Sequence, residues 1–193
     1  GPTKTQVRLR LQPVTALFGT FLLIGCSLGH AADAKLEKAT LAGGCFWCME
    51  PPFEDLKGVQ SVISGYTGGP EVNPTYKDVA RGLTGHNEAV QVTYDPTLIS
   101  FEELLAVYWR SMDPTDAKGQ FADRGSQYRP GIFYHDEGQR KTAVTSMQAL
   151  AASRRFDKPI AVELTAFEVF YPAEDYHQDY YRKNPGHYKA YRR

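Results

Sequence analysis

The sequence predicts an α/β (α+β) domain in which helices pack on a mixed sheet. Short β-branched and aromatic runs alternate with helical stretches, and clusters of Gly, Pro, Asn and Asp punctuate them, with no internal repeat. At 193 residues, 42% hydrophobic and 12% aromatic, the chain can bury one core. Residues 38–42 read as a short strand that feeds Gly43-Gly44. A helix is expected over 45–56, with Pro51-Pro52 in its first turns, where missing N–H groups do little harm, and Gly58 ending it. Residues 59–66 read as a strand, and Thr67-Gly68-Gly69-Pro70 and Asn73-Pro74 mark a loop. Ala89, Val90, Val92 and Tyr94 lie in a further strand closed by Asp95-Pro96. Ser100 with Glu103 is a capping-box signature that opens a helix over 101–112. Residues 113–129 are polar and aperiodic, a length of loop that in a compact domain is usually functional. A strand at 131–135, a helix at 136–153 and a strand at 160–170 follow, and from Tyr171 the chain reads as an irregular, Tyr-rich tail.

The N-terminal part reads as a targeting segment over 1–34, ahead of a single catalytic domain over 35–193. Arg8 and Arg10 precede an apolar run at 14–28, too short for a comfortable membrane span but suited to a signal-peptide core. Ala32-Asp33-Ala34 offers a cleavage site, whereas Leu23-Ile24-Gly25-Cys26 resembles a lipoprotein processing box that would lipidate Cys26. The expectation is a periplasmic or otherwise exported protein, with anchoring through Cys26 as the alternative. Gly1-Pro2, with no initiating Met, reads as a cloning scar and is set aside. The charge balance of 22 basic and 22 acidic residues hides an asymmetry. Without Lys4, Arg8 and Arg10, 19 basic face 22 acidic residues, a net of −3, which does not suit a nucleic-acid partner.

Chemistry concentrates in Gly43-Gly44-Cys45-Phe46-Trp47-Cys48. Two thiols three residues apart at a helix start are a reactive arrangement, because a helix N-terminus favours the thiolate that attacks electrophiles. Phe46 and Trp47 set apolar surface beside that sulfur, suited to a small apolar group. A structural cysteine pair beside core aromatics fits the same residues, as does a general thiol–disulfide oxidoreductase using Cys45 and Cys48. In an oxidising compartment such a pair either bonds or cycles. Glu88 enters a strand whose following residues are mostly apolar. A carboxyl there is expected to be desolvated and raised in pKa, as a general acid near neutral pH requires. Tyr76, Asp123 and Tyr128 lie beside Gly or Pro turns. His86, His177 and His187 do not combine with the two cysteines in any zinc spacing, so no metal and no cofactor are expected.

Six segments occur in a specific order: Gly44-Cys45-Phe46-Trp47, Gly65-Tyr66-Thr67-Gly68-Gly69, Asn73-Pro74-Thr75-Tyr76, Thr84-Gly85-His86-Asn87-Glu88-Ala89-Val90, Gln127-Tyr128-Arg129 and Tyr176-His177-Gln178-Asp179-Tyr180. Each is weak alone. Together they resemble peptide methionine sulfoxide reductase of the A type over residues 41–188. The resemblance implies a ferredoxin-like plait core with long loops and the reactive cysteine at the first helix. It implies Cys45 as nucleophile, Glu88 as acid, Tyr76, Asp123 and Tyr128 as the rest of the polar site, and Phe46 and Trp47 lining the pocket for the substrate methyl. It also implies reduction of the S epimer of methionine sulfoxide, in oxidised proteins or free, through a Cys45 sulfenic acid. A thioredoxin-like reductant is the expected partner and a monomer the expected state. Many family members carry a resolving cysteine near the C-terminus. This chain reads Asn184-Pro185-Gly186-His187-Tyr188-Lys189 there, which leaves Cys48 as the candidate.

Overall fold

The structure is a computed structural model, and it describes residues 35–191. The targeting segment expected over 1–34, with Cys26 and the cleavage site, lies outside the described residues. Six strands form one sheet: β1 (Glu37–Ala42), β2 (Val59–Thr67), β3 (Asn87–Tyr94), β6 (Gly131–Tyr134), β7 (Glu163–Ala166) and β8 (Phe170–Pro172). Their spatial order is β7-β6-β1-β3-β2-β8, antiparallel throughout except for the parallel pair β6 and β7. The inner four, β6-β1-β3-β2, have the order of a split βαβ plait, in which β3 fills the gap between β1 and β2.

Strand parity decides what faces the helices. On β3, Val90, Val92 and Tyr94 join the main core with Leu41 and Ala39 of β1 and Val62 and Tyr66 of β2. Glu88 shares that parity, so its carboxyl points to the helix side, and its cross-strand partner is Tyr66. The opposite face carries a smaller cluster of Ala42, Ala89 and Phe133. Over the main core lie α4 (Phe101–Ser111) and α5 (Glu137–Ala152). Trp109 Nε1–H donates to Ser146 Oγ at 2.7 Å to join them, and Tyr108 donates to the carbonyl of Ala42 at 2.7 Å. The Ser100 side chain accepts from the Glu103 backbone while Glu103 accepts from the Ser100 backbone, so the expected capping box forms.

Three expectations are corrected. The single helix over 45–56 is two one-turn helices, α1 (Phe46–Met49) and α2 (Pro51–Glu54). The backbone stays helical at Glu50, with φ −65° and ψ −53°, but Pro51 and Pro52 lack the N–H groups that would continue the ladder. The single strand over 160–170 is β7 and β8 at opposite edges of the sheet. Three residues join them, a reach of at most about 14 Å, so the sheet curls until its edges approach at that end. Thr67 Oγ1 donates to the carbonyl of Val169 at 2.5 Å across this closure. The loop between β2 and β3 holds a short helix, α3 (Tyr76–Ala80), capped by Thr75, whose side chain accepts from the Asp78 N–H. The polar stretch 113–129 contains a two-residue hairpin, β4 (Gly119–Gln120) with β5 (Asp123–Arg124), and a 3-10 turn at Ser126–Tyr128. The tail, expected to be irregular from Tyr171, instead completes β8 and then holds a 3-10 turn at Asp175–His177, α6 (Tyr180–Lys183) and α7 (Pro185–Tyr191).

Gly65 lies where β8 meets β2, and a Cβ there would come within 2.4 Å of Phe170 Cζ and of the Tyr171 carbonyl. Gly65→Ala is therefore expected to destabilise the domain by about 1–3 kcal/mol and to loosen β8. Urea unfolding with amide exchange at residues 170–172 checks this, and unchanged stability and protection would refute the close approach.

Candidate active site

Cys45 sits at the N-cap of α1 with φ −59° and ψ 125°, held there by a left-handed Gly44 (φ +92°). A Cβ on Gly44 would lie 2.6 Å from Gln120 Cβ, so the hairpin of β4 and β5 seats directly on this turn. The Cys45 carbonyl accepts from the N–H of Cys48 at 3.0 Å and of Met49 at 3.3 Å. No disulfide joins Cys45 and Cys48, and the Cys48 side chain acts on the Cys45 thiol. The first N–H of α1, on Phe46, donates to Glu88 Oε2 at 3.1 Å. A buried carboxyl on β3 thus takes the first N–H of the helix, while the Trp47 N–H still acts to lower the Cys45 thiol.

The electrostatics follow from that contact. Burial pushes the Glu88 carboxyl up to about 8 against the lowering pull of the Phe46 N–H, with Asp123 and Cys48 adding to the rise. The Cys45 thiol is also raised well above its ordinary value, by the Cys48 side chain, by burial and by the Glu88 charge. The helix start favours a thiolate at Cys45, but these influences outweigh it and hold Cys45 as a neutral thiol beside a carboxyl that is largely protonated at neutral pH. Burial and then the charge of Glu88 push the Tyr76 hydroxyl up to about 12, and Tyr128 rises for the same two reasons in the same order. Both phenols keep their protons as donors. Asp123 is half-buried, raised by burial, and accepts from the Tyr191 hydroxyl of α7.

Cys45, Cys48 and Asp123 border a cavity of about 470 Å3, with Phe121 and Tyr191 on its wall. Glu88, Tyr76 and Tyr128 act electrostatically on Cys45 or on one another, so the six polar and thiol residues singled out in the sequence meet in one place. Phe46 and Trp47 stand differently. Phe46 is fully buried, its ring against Tyr66, Tyr76 and His177, and neither aromatic borders this cavity. Trp47 is half-buried with Tyr180 stacked on it at 3.8 Å.

The tail supplies groups that the sequence did not single out for this role. Trp47 Nε1–H donates to His177 Nδ1 at 3.1 Å, and burial lowers the His177 pKa. Glu174 accepts from the Tyr76 N–H at 3.1 Å and from the Tyr66 hydroxyl at 3.2 Å. Glu50, between α1 and α2, is raised to about 7 by burial and accepts from Asp179 N–H at 2.9 Å and Ser64 Oγ at 3.2 Å. The motif around His177 and Asp179 was the only available signal, since these contacts span more than a hundred residues of sequence. Among the described residues Glu50, Glu54 and Asp179 are close enough to share a cation, but hydrogen bonds and Arg182 already engage them.

A family model described as peptide methionine sulfoxide reductase matches residues 37–193. The peptide methionine sulfoxide reductase MsrA of Listeria monocytogenes serotype 4b is 59% identical over 157 residues, which are 81% of this chain and 89% of that protein. Among solved structures, reduced Mxr1 from Saccharomyces cerevisiae aligns with a TM-score of 0.74 at 33% identity, covering 80% of this chain and 88% of that one. Mxr1 in complex with Trx2 aligns with a TM-score of 0.54 at 25% identity, covering 77% of this chain and 86% of that one.

The Glu88 shift fixes a sign for stability against pH. Its folded pKa of about 8 exceeds the ordinary carboxyl value of 4.5, so folding holds a proton that the unfolded chain releases. This contribution is full below about 4.5 and is lost as pH rises towards 8. The Tm of Glu88→Gln relative to the parent should therefore climb steadily from pH 5 to pH 8. A Tm difference independent of pH would show that Glu88 is ionised in the fold.

Proposed function

The chain belongs to the peptide methionine sulfoxide reductase family, and from that membership we propose how its own residues carry the reaction. It reduces the S epimer of methionine sulfoxide, in peptides or free, to methionine, and a thioredoxin-type reductant recycles it. One observation carries the assignment of roles: a buried carboxyl raised to about 8 beside a buried cysteine thiol at the start of α1. A sulfoxide sulfur accepts a nucleophile only when its oxygen gains a proton. Glu88, protonated at rest, gives that proton, while the Tyr76 and Tyr128 hydroxyls donate to the same oxygen. Cys45 forms a bond to the substrate sulfur as its own proton passes to the Glu88 carboxylate. The oxygen then passes from the substrate sulfur to the Cys45 sulfur as the S–S bond breaks, so methionine leaves with its thioether restored, Cys45 is left as a sulfenic acid, and Glu88 is again protonated.

The action of the Cys48 side chain on the Cys45 thiol supports Cys48 as the resolving residue. Cys48 sulfur attacks the Cys45 sulfenic sulfur, water leaves, and a Cys45–Cys48 disulfide forms. An external dithiol reduces it with two electrons. Mxr1 in complex with Trx2 is the basis for giving a thioredoxin that role. Phe46 and Trp47 shape the apolar side of the site, Phe46 by packing beneath Tyr76 and Trp47 from the half-exposed rim. The enzyme works as a monomer, without cofactor or metal, on this reading.

Turnover of N-acetylmethionine sulfoxide with dithiothreitol or thioredoxin tests these roles. Cys45→Ser should have no turnover, and Glu88→Gln about a hundredfold less than the parent. Cys48→Ser should release one equivalent of methionine per enzyme, then stall with thioredoxin while dithiothreitol restores part of the turnover. Undiminished thioredoxin-driven turnover in Cys48→Ser, or substantial activity in Cys45→Ser, sinks the scheme.

We place the enzyme in an exported compartment, on the basic and apolar composition of residues 1–34 alone. Intact mass of the protein recovered from its native host should show removal of that segment, or a diacylglycerol on Cys26. An unprocessed chain in the cytoplasm would overturn both versions.

A further inference from the structure

The hairpin of β4 and β5 pairs Gln120 with Asp123, which leaves Phe121 and Ala122 as its two-residue turn. Phe121 has φ +50°, the left-handed conformation that such turns ordinarily give to Asn, Asp or Gly. A bulky aromatic there is strained, and its ring is 77% exposed. The turn is nevertheless held firmly. Gln120 is buried, its Oε1 accepting from the Asp113 N–H and its Nε2 donating to the Asp113 carbonyl, each at 2.7 Å. The Gly125 N–H donates to the Lys118 carbonyl at 3.0 Å, and Arg124 is paired with both oxygens of Asp116. A rigid, strained hairpin thus presents an apolar ring to water, on the wall of the cavity that Cys45, Cys48 and Asp123 border.

Resting on the reductase reading above, we infer that Phe121 is a specificity-determining residue that receives an apolar side chain one or two positions from the methionine sulfoxide in a peptide. A cavity of about 470 Å3 has room for more than one thioether side chain. With the sulfoxide at Cys45, the next side chains of an extended peptide emerge at steps of about 3.4 Å along the backbone. Phe121 shares the cavity wall with Cys45 and offers exposed surface two positions before Asp123 on the same hairpin, which makes it the apolar group placed to meet those side chains. Contact with an apolar or aromatic side chain would cover that ring, whereas a serine in its place would leave it wet.

The test uses two synthetic pentapeptides carrying S-epimer methionine sulfoxide, one flanked by Phe and one by Ser, with dithiothreitol as reductant. The parent should favour the Phe-flanked peptide about tenfold in kcat/KM. Phe121→Asn keeps a residue suited to positive φ and should bring the two peptides within about twofold. Phe121→Tyr should retain the preference. The inference fails if the parent shows no preference, if Phe121→Asn keeps it, or if the variant slows only thioredoxin-driven turnover, which would assign the ring to the reductant. A parent that reduces neither peptide would strike the reductase reading itself.

Discussion

The contact on which the site depends is the 3.1 Å hydrogen bond from the Phe46 N–H to the buried carboxyl of Glu88. It ties the start of α1 to β3 and sets how far Cys45 lies from the sheet. A buried carboxyl left without a donor would carry an unmet desolvation cost, and a one-turn helix left without an acceptor would have orphan N–H groups at its start. Each meets the other's need. Strand parity makes the meeting unavoidable, because Glu88 shares the face of Val90 and Val92, onto which α1 packs. The same carboxyl then adds to the rise that Cys48 and burial give Cys45 and that burial gives Tyr76 and Tyr128, so one placement bears on every proton of the site.

Within that inventory Cys45 and Glu88 both hold their protons at rest. A thiolate and a carboxylate side by side in a buried site would repel in a medium of low polarity, and the pair avoids this by holding both protons. The proposed chemistry suits such a pair, since the sulfoxide oxygen consumes one proton as the thiol surrenders the other. A helix dipole acting alone on Cys45 would have given a standing thiolate, open to oxidation by any peroxide that reached it. On the proposed scheme, activation waits for a substrate whose oxygen can take the Glu88 proton.

Long-range packing by the tail finishes the site. His177 holds the Trp47 indole, Glu174 holds the Tyr76 backbone, and Glu50 holds the Asp179 backbone, so α1, α3 and the tail form one body. Where many relatives are expected to bring a resolving cysteine, α7 brings His187 and Tyr191 against Trp47, and Tyr191 donates to Asp123. The tail is therefore cover and support, which is consistent with leaving resolution to Cys48 within the same helical turn.

The parts legible in the sequence were those governed by local rules. Strands β1, β2 and β3 and helices α4 and α5 fell within one or two residues of expectation because alternation and caps are short-range signals. The stretch 160–170 was misread because an apolar run records burial and not which neighbour supplies it. β7 is paired to β6 and β8 to β2, and only sheet closure explains why one run serves both edges. Proline chemistry was read correctly in kind but not in extent, since two consecutive missing N–H groups split the helix rather than merely opening it. The burial of Glu88 could be foreseen from the apolar residues that follow it. The protonation state of Cys45 could not, because a dipole argument sees only the helix, whereas the Cys48 side chain, burial and the charge of Glu88, forty-three residues away on another strand, all act against the thiolate. Reactive-cysteine motifs at helix starts thus leave the resting charge undetermined until the acceptor facing the first N–H is known.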